Sequence, residues 1–200
     1  MQPKTVIFIG PQGSGKGTQI EKLDAVLCEL DPTRQVVDIQ TGRRFRALAA
    51  KQEGYTEEHV AETLDSGVLQ PLFLSVHLWG DAMREHLNDE CHVLIDGFPR
   101  TVREARVLET ALAFYKRNNV EIINLDTPEA VVRERMQGRG RTDDTEASIE
   151  ARLAWYREEV LPVIEYYRDR EGTVVHDIDG TLSIDGVHES ILTALAIEIK

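Results

Sequence analysis

The chain has 200 residues, of which 42% are hydrophobic, and it carries a formal net charge of −12. This length suits one α/β domain with a buried core and disfavours two independent domains. The negative charge disfavours DNA, RNA and anionic membranes as partners, although a local cationic pocket could still bind a small polyphosphate.

The two cysteines and the N-terminal segment disfavour further classes of protein. Cys28 and Cys91 lie far apart and show no Cys-x-x-Cys spacing, so the sequence predicts neither a metal knuckle nor a disulfide framework. Residues 5–9 form an apolar run that is too short for a signal peptide or a membrane span. We therefore expect a cytoplasmic protein.

Apolar runs alternate with helical patterns along the chain. Each run is short and nearly continuous, which is typical of a strand buried on both faces of a parallel sheet. The pattern predicts an α/β fold in which a five-stranded parallel sheet is covered by helices on both faces. The strands are expected at residues 5–9, 35–39, 91–96, 121–125 and 173–178.

Capping residues and apolar periodicity locate the helices between these strands. Thr101 and Thr127 are each expected to cap a helix. A helix that begins at residue 144 or 145 is expected to bend or break near Pro162. The final helix, from residue 185, is expected to carry Ile199 on its apolar face. The remaining helices are expected at residues 15–30, 41–52, 56–66 and 71–87.

A glycine-rich loop, Gly10-Pro-Gln-Gly-Ser-Gly-Lys-Gly-Thr18, joins the first strand directly to the first helix. Its glycines allow a tight turn with inward-pointing amides, the helix offers its positive end, and Lys16 adds a full charge. This context predicts a cradle for a nucleotide polyphosphate. Gly17 stands where switch GTPases and motor-type ATPases carry a hydroxyl that binds Mg²⁺, and the hydroxyl comes later, at Thr18. That shift, with the lack of an Asn-Lys-x-Asp motif, disfavours both classes.

Several motifs together resemble the adenylate kinase family, in that family's order and over essentially the whole chain. The resemblance implies a single P-loop kinase domain, residues 1–200, that transfers the γ-phosphoryl group of ATP to AMP and forms two ADP. Residues 41–70 would be a nucleoside-monophosphate-binding insertion, and residues 138–144 a very short lid without structural zinc. The motifs are the loop through Gln19, Thr41-Gly42 with Arg46, Asp96-Gly-Phe-Pro-Arg-Thr101, the arginines of 135–141, Asp143-Asp144 and Arg152.

The resemblance also implies roles for individual residues. Mg²⁺ would accompany ATP and would be oriented by Asp96 through bound water, with no direct protein ligand. The catalytic residues, which would stabilise the transferring group, are Lys16, Arg100, Arg139, Arg141 and Arg152. ATP would be bound by Gly13, Ser14, Gly15, Lys16, Gly17, Thr18, Arg135, Arg139 and Leu182. The acceptor would be bound by Thr41, Arg46, Val68, Leu69, Gln70, Gly97, Arg100, Glu104, Arg141 and Arg152.

The sequence leaves more than one acceptor base open. A threonine at position 41 favours adenine, whereas pyrimidine-specific relatives tend to have alanine there. Glu104 stands where the family usually has a glutamine, and a carboxylate can only accept hydrogen bonds. Glu104 could therefore contact adenine or guanine, or could instead close a capping box with the Thr101 amide. Arg43 replaces the acid that usually follows this Thr-Gly and adds positive charge near the acceptor phosphate.

Two other readings of the sequence lead to different functions. Residues 174–182 resemble the Asp-x-Asp-Gly-Thr nucleophile loop of haloacid-dehalogenase phosphatases, but the 18 residues that follow are too few for that fold. A nucleotide-binding regulator could keep the glycine loop and lack transfer, although a regulator needs no acceptor arginines. We therefore expect a monomeric enzyme with ATP and AMP as its partners. Helix packing is the role expected for Trp155, Tyr156, Tyr166 and Tyr167.

Overall fold

A computed structural model describes residues 1–141 and 143–198 of the chain. It contains one five-stranded parallel sheet with the strand order β2-β3-β1-β4-β5, which confirms the predicted fold class. Thr142, inside the predicted lid, and Ile199, predicted on the last helix, lie outside the described residues. The strands are β1 (Thr5–Ile9), β2 (Val36–Gln40), β3 (His92–Asp96), β4 (Val120–Asp126) and β5 (Thr173–Asp179).

Strand β1 lies at the centre of the sheet, between β3 and β4, and all its residues are buried. Successive side chains of a strand point to opposite faces. Ile7 and Ile9 accordingly pack in one core cluster, and Val6 and Phe8 pack in a second cluster on the other face. Both faces are thus covered by apolar side chains from the helices, as the continuous apolar strand sequences require.

Helices connect the strands, and Thr101 caps its helix as predicted, with its hydroxyl accepting from the Glu104 N–H. No helix within residues 1–141 and 143–198 has the length and apolar character needed to cross a membrane. The helices are α1 (Lys16–Leu30), α2 (Thr41–Ala49), α3 (Tyr55–Asp65), α4 (Leu72–His86), α5 (Val102–Phe114), α6 (Glu129–Gly138), α7 (Glu146–Trp155), α8 (Leu161–Arg168) and α9 (Ile184–Ala194).

The structure corrects one cap and refines one interruption. Thr127 was expected to cap α6, but the helix starts two residues later and the Thr127 hydroxyl donates to the Leu125 carbonyl instead. The predicted interruption near Pro162 is confirmed. A π-helical segment, Tyr156–Val160, separates α7 from α8 directly before the proline, which occupies the first turn of α8 and has no N–H to continue the helical hydrogen-bond pattern.

Residues 41–70 leave the sheet and form two helices with a small core of their own. Phe45 of α2 and Val60 of α3 are buried against Leu74 of α4. Because this cluster is separate from the two sheet clusters, the segment is attached to the domain mainly through its ends and through α4. One end follows β2 at its carboxyl end, which places the segment beside the edge of the sheet where ligands of parallel sheets bind.

Candidate active site

The glycine loop runs from the end of β1 to the start of α1. Gly10, Gly13 and Gly15 all have positive φ angles. At Gly13 the requirement is steric as well as conformational, since a Cβ there would lie 2.9 Å from the Val132 carbonyl oxygen of α6. The backbone therefore passes close under α6 and enters α1 at Lys16, where the first amides of the helix have no helical partner. Those amides and the helix dipole favour an anion.

Lys16 is folded back over this loop. Its Nζ donates to the carbonyl oxygens of Gly10 and Pro11, each at 2.8 Å, and lies 3.4 Å from the Ser14 Oγ. Burial lowers the pKa of Lys16 to about 8, although the nearby Asp96 carboxylate favours the charged form. Neutral partners thus hold the ammonium group against the loop, and a bound phosphate would give it an anionic partner.

The loop opens into a cavity of about 420 Å³, lined by residues from the loop, the 41–70 segment, the turn after β3, and helices α6 and α7. Its three carboxylates, from Glu21, Asp96 and Asp143, are outnumbered by cationic side chains. A chain with a net charge of −12 therefore has a local positive excess of five at this one cavity. The cationic residues are Lys16, Arg43, Arg46, Arg100, Arg135, Arg139, Arg141 and Arg152.

The carboxyl end of β3 contributes polar atoms that have no protein partner. The Oδ1 atom of Asp96 is buried without a hydrogen bond from any described residue, and so is the Oγ1 atom of Thr41. Gly97, directly after Asp96, packs closely against Thr41, since a Cβ on Gly97 would lie 2.5 Å from Thr41 Oγ1. Buried polar atoms are costly when unpaired, so these two oxygens mark places where a ligand or solvent shell belongs.

Two aspartates at the start of α7 organise the arginines on this side of the cavity. Arg152 is buried and donates to Asp144 at 2.5 Å and to Asp143 at 2.7 Å. Arg139, at the end of α6, is paired with the same Asp144. Burial opposes ionisation of Asp144, but these two arginines hold the pKa of its carboxyl below the ordinary value. Charge-assisted hydrogen bonds to these aspartates therefore orient both guanidiniums on this side of the cavity.

Comparison with known proteins identifies the family. A family model described as adenylate kinase matches residues 8–172. The chain is 36% identical over 190 residues to an adenylate kinase of Corynebacterium urealyticum, covering 95% of this chain and 98% of that protein. It is 37% identical over 186 residues to one of Corynebacterium aurimucosum, covering 90% of this chain and 98% of that one. A Nocardia farcinica adenylate kinase is 37% identical over 190 residues, with 95% and 98% covered.

The chain belongs to the adenylate kinase family. Membership confirms the resemblance predicted from the motifs and makes this protein a phosphotransferase of the nucleoside monophosphate kinase class. The glycine loop and the arginine-lined cavity are the parts of the fold where such chemistry would take place. The roles of individual residues are not decided by family membership and stay predictions.

Most of the predicted site residues converge in the fold. Leu69 and Glu104 line a second cavity of about 120 Å³, which shares Gln70, Gly97 and Arg100 with the main one. Ser14 and Thr41 are buried beside the main cavity without lining it, and Leu182 is exposed on the surface. The residues that line the main cavity are Gly13, Gly15, Lys16, Gly17, Thr18, Arg46, Val68, Gln70, Asp96, Gly97, Arg100, Arg135, Arg139, Arg141 and Arg152.

Glu104 is buried and makes more contacts than either sequence hypothesis expected. Its Oε1 accepts from the Ser75 hydroxyl at 2.6 Å and from the Trp79 indole N–H at 3.1 Å. Its Oε2 accepts from the backbone N–H of Arg100 at 2.7 Å, whereas the capping box predicted the Thr101 amide. The carboxylate thus joins α4 to the start of α5, and it also borders the small cavity.

For Arg43 and Trp155 the structure adds contacts that the sequence does not predict. Arg43 lines the cavity as expected, but its charge is shared with Glu21 at 2.9 Å and with Asp38 at 3.8 Å. Trp155, expected in helix packing, also lines the cavity and contacts Arg100. The available signal was its spacing, because a residue three positions after Arg152 lies on the same face of a helix.

Proposed function

We propose that this protein catalyses the reversible transfer of the γ-phosphoryl group from ATP to AMP, producing two ADP. The observation that carries the proposal is the single cavity in which a phosphate-type glycine loop meets arginines from four other segments of the chain. Two substrates with about six negative charges between them would match such a surplus of cationic groups. A protein that only bound ATP would need the loop and few of these arginines.

The donor half of the proposed site is the glycine loop. Amides of residues 13–18 and the Lys16 ammonium would hold the β- and γ-phosphates of ATP, and Thr18 lines the same cavity. Arg135 spans the loop and the end of β5, donating to the Ser14 carbonyl at 3.3 Å and to the Gly180 carbonyl at 2.9 Å. It would steady the donor side, while the exposed Leu182 would flank the adenine.

The acceptor half lies between the 41–70 insertion and the turn after β3. Arg46 and Arg100 would clamp the α-phosphate of AMP, and burial lowers the pKa of both guanidiniums, which makes an anionic partner favourable. The small cavity would receive the base. The residues that we assign to the base and ribose are Thr41, Val68, Leu69, Gln70, Gly97 and Glu104.

Transfer itself would depend on positioning and charge. Arg139, Arg141 and Arg152, with Lys16 and Arg100, would surround the transferring phosphoryl group and stabilise the charge that develops on its oxygens. Burial and the neighbouring Arg139 and Arg46 lower the pKa of Arg141, and a bound phosphate would favour its charged form. Residues 138–144 would form the short lid that excludes water and so suppresses hydrolysis of ATP.

The residues present fit a magnesium ion that arrives with ATP. In the described residues no group of three or more His, Cys, Asp or Glu side chains is arranged to hold a metal. Asp96, however, directs an unpartnered buried oxygen into the site, and one carboxylate with substrate phosphates and water is a usual magnesium environment. Bound Mg²⁺ would neutralise charge on the donor phosphates, and Asp96 would accept hydrogen bonds from its water shell.

The hydrogen bonds that Glu104 already accepts favour adenine over guanine as the acceptor base. A carboxylate offers about four acceptor positions, and three of them already receive hydrogen bonds from Ser75, Trp79 and Arg100. The remaining position can accept one N–H, as the amine of adenine would offer. Guanine would present two adjacent donors and would have to displace an existing partner.

The alternatives to this proposal predict different assay results. A coupled assay with ATP should produce ADP rapidly with AMP, more slowly with GMP, CMP or UMP, and not without an acceptor.

Lys16→Met should reduce turnover by about two orders of magnitude or more through lost charge stabilisation. Lys22→Met, which removes an exposed lysine outside the cavity, should leave turnover unchanged. ATP binding without ADP formation from any acceptor would establish a regulator instead.

Compartment and assembly are separate parts of the proposal. We propose that the protein is a monomer, because one chain supplies all the cavity-lining residues that the mechanism uses. We also propose that it is cytoplasmic. The strongly acidic remainder of the surface would disfavour nucleic acid and anionic membranes. Light scattering across a concentration series would test this, and a mass of two chains at micromolar concentration would contradict it.

A further inference from the structure

Trp155 is the last residue of α7 and stands where three parts of the acceptor site meet. It lines the main cavity, packs against the edge of one core cluster, and contacts both the turn after β3 and the end of the 41–70 insertion. Such a position is unusual for a residue whose only task is to fill a helix interface, because both the ring and its N–H contact polar groups.

The first of these partners is the guanidinium of Arg100. Its Cζ lies 5.1 Å from the centroid of the Trp155 ring, within the range of a cation–π contact. Arg139 and Arg152 are held by carboxylates, whereas within residues 1–141 and 143–198 Arg100 forms no salt bridge. The face of the indole is neutral, so it orients this half-buried guanidinium without neutralising it, and the charge remains available to a phosphate.

The second partner is the end of the insertion. The Trp155 indole N–H donates to the Gly67 carbonyl at 3.0 Å, and one turn earlier Arg152 donates to the Leu64 carbonyl at 3.3 Å. Gly67 has φ +71°, and a Cβ on it would lie 2.5 Å from the Ser148 carbonyl oxygen of α7. Helix α7 thus holds the C-terminal end of the insertion at close range, next to the residue that stacks on Arg100.

We propose that Trp155 is a positioning residue for the acceptor: its ring aims Arg100 at the acceptor phosphate, and its N–H fixes the end of the insertion that borders the same nucleotide. The inference rests on the proposed function, since it assumes that the acceptor is a nucleoside monophosphate such as AMP. It assigns to Trp155 an effect on AMP binding and not on ATP binding, because the side chain donates to the insertion and, within residues 1–141 and 143–198, forms no hydrogen bond with the glycine loop.

Two substitutions separate the two contacts. Trp155→Leu removes both the aromatic face and the N–H, and we expect it to raise KM for AMP and the Kd for AMP about tenfold. KM for ATP should change less than twofold. Trp155→Phe keeps an aromatic face for Arg100 and loses only the N–H, so it should recover most of the affinity and raise Kd about threefold. Calorimetric titration with AMP alone gives Kd without any need for turnover.

A matched control removes a similar stack elsewhere. The Arg170 guanidinium lies 4.3 Å from the centroid of the Tyr166 ring, outside both cavities. Tyr166→Leu should therefore lower the melting temperature about as much as Trp155→Leu and leave the Kd for AMP unchanged. If Trp155→Leu does not fold, Trp155→Met supplies similar volume without an aromatic face.

The outcomes distinguish this inference from the proposed function. A Kd for AMP that stays within twofold of wild type in the Leu or Met variant would overturn the role of Trp155, and so would equal increases in KM for AMP and ATP. Wild-type protein that binds AMP but forms no ADP would overturn the proposed function and leave the positioning role standing. Wild-type protein that binds no AMP would overturn both.

Discussion

Lys16 shows how a single side chain can be prepared for a ligand by its surroundings. Two backbone carbonyls hold its ammonium group, and burial lowers its pKa to about 8, from the ordinary value of 10.5. The free enzyme therefore loses this charge as the pH rises through about 8, well below the pH at which an exposed lysine would lose it. Phosphate binding needs the charged form, so affinity for ATP should weaken over that range.

This titration gives a prediction for the pH profile. We expect kcat/KM for ATP, which reports on the free enzyme, to fall as the pH rises through about 8 and to approach a tenfold loss per unit above it. In Lys16→Arg the residual activity should not show this fall, because arginine stays charged. A wild-type profile that is flat to pH 9.5 would contradict the lowered pKa.

At the scale of elements, Glu104 links two helices through its carboxylate. Ser75 and Trp79 of α4 donate to one oxygen, and the N–H before the α5 cap donates to the other. An amide cannot accept on both sides, since its NH₂ group would face a donor. The cost of leaving donors unpaired in a buried position outweighs any gain from a base contact.

We therefore expect Glu104→Gln to lower the melting temperature by about 5 °C, from the loss of one or two buried charge-assisted hydrogen bonds. The ranking of acceptors should keep AMP first. Glu109→Gln is the matched control on the same helix: Glu109 accepts from Arg170 and from the Tyr166 hydroxyl nearer the surface, so its loss should lower the melting temperature less than Glu104→Gln. A changed acceptor ranking with an unchanged melting temperature, measured by calorimetry, would show that Glu104 acts on the base alone and would contradict its structural role.

At the scale of the whole molecule, an acidic protein encloses a cationic cavity. The cavity has a surplus of five positive charges inside a chain of net charge −12. Mutual repulsion among these arginines and Lys16 destabilises the substrate-free state, and the aspartates at the start of α7 offset only part of it. A polyanion that fills the cavity should therefore stabilise the fold even without a base or a sugar.

Inorganic tripolyphosphate tests this balance. At a concentration about a hundredfold above its Kd it should raise the melting temperature by about 5 to 10 °C in low salt, and the rise should shrink at 0.5 M salt. Lys16→Met should show a smaller rise. An equal shift in wild type and Lys16→Met at both salt concentrations would indicate binding elsewhere on the surface.

The sheet, its helices and the phosphate loop could be predicted from the amino-acid sequence, because they depend on local signals. Continuous apolar runs specify buried parallel strands, and glycines followed by Lys16 specify a loop with free amides. Thr127 shows the limit of local rules: it is a good cap by composition, but its hydroxyl bonds to Leu125 and the helix starts at Glu129.

The contacts between distant side chains could not be predicted in this way and are visible only in the folded chain. Glu104 meets Ser75 and Trp79 from a helix that precedes it by two elements, and no spacing in the sequence announces that contact. Trp155 looks like a packing residue until the fold places Arg100 over its ring and Gly67 against its N–H. Contacts of this kind depend on the relative placement of whole helices, which core packing sets and a one-dimensional pattern does not encode.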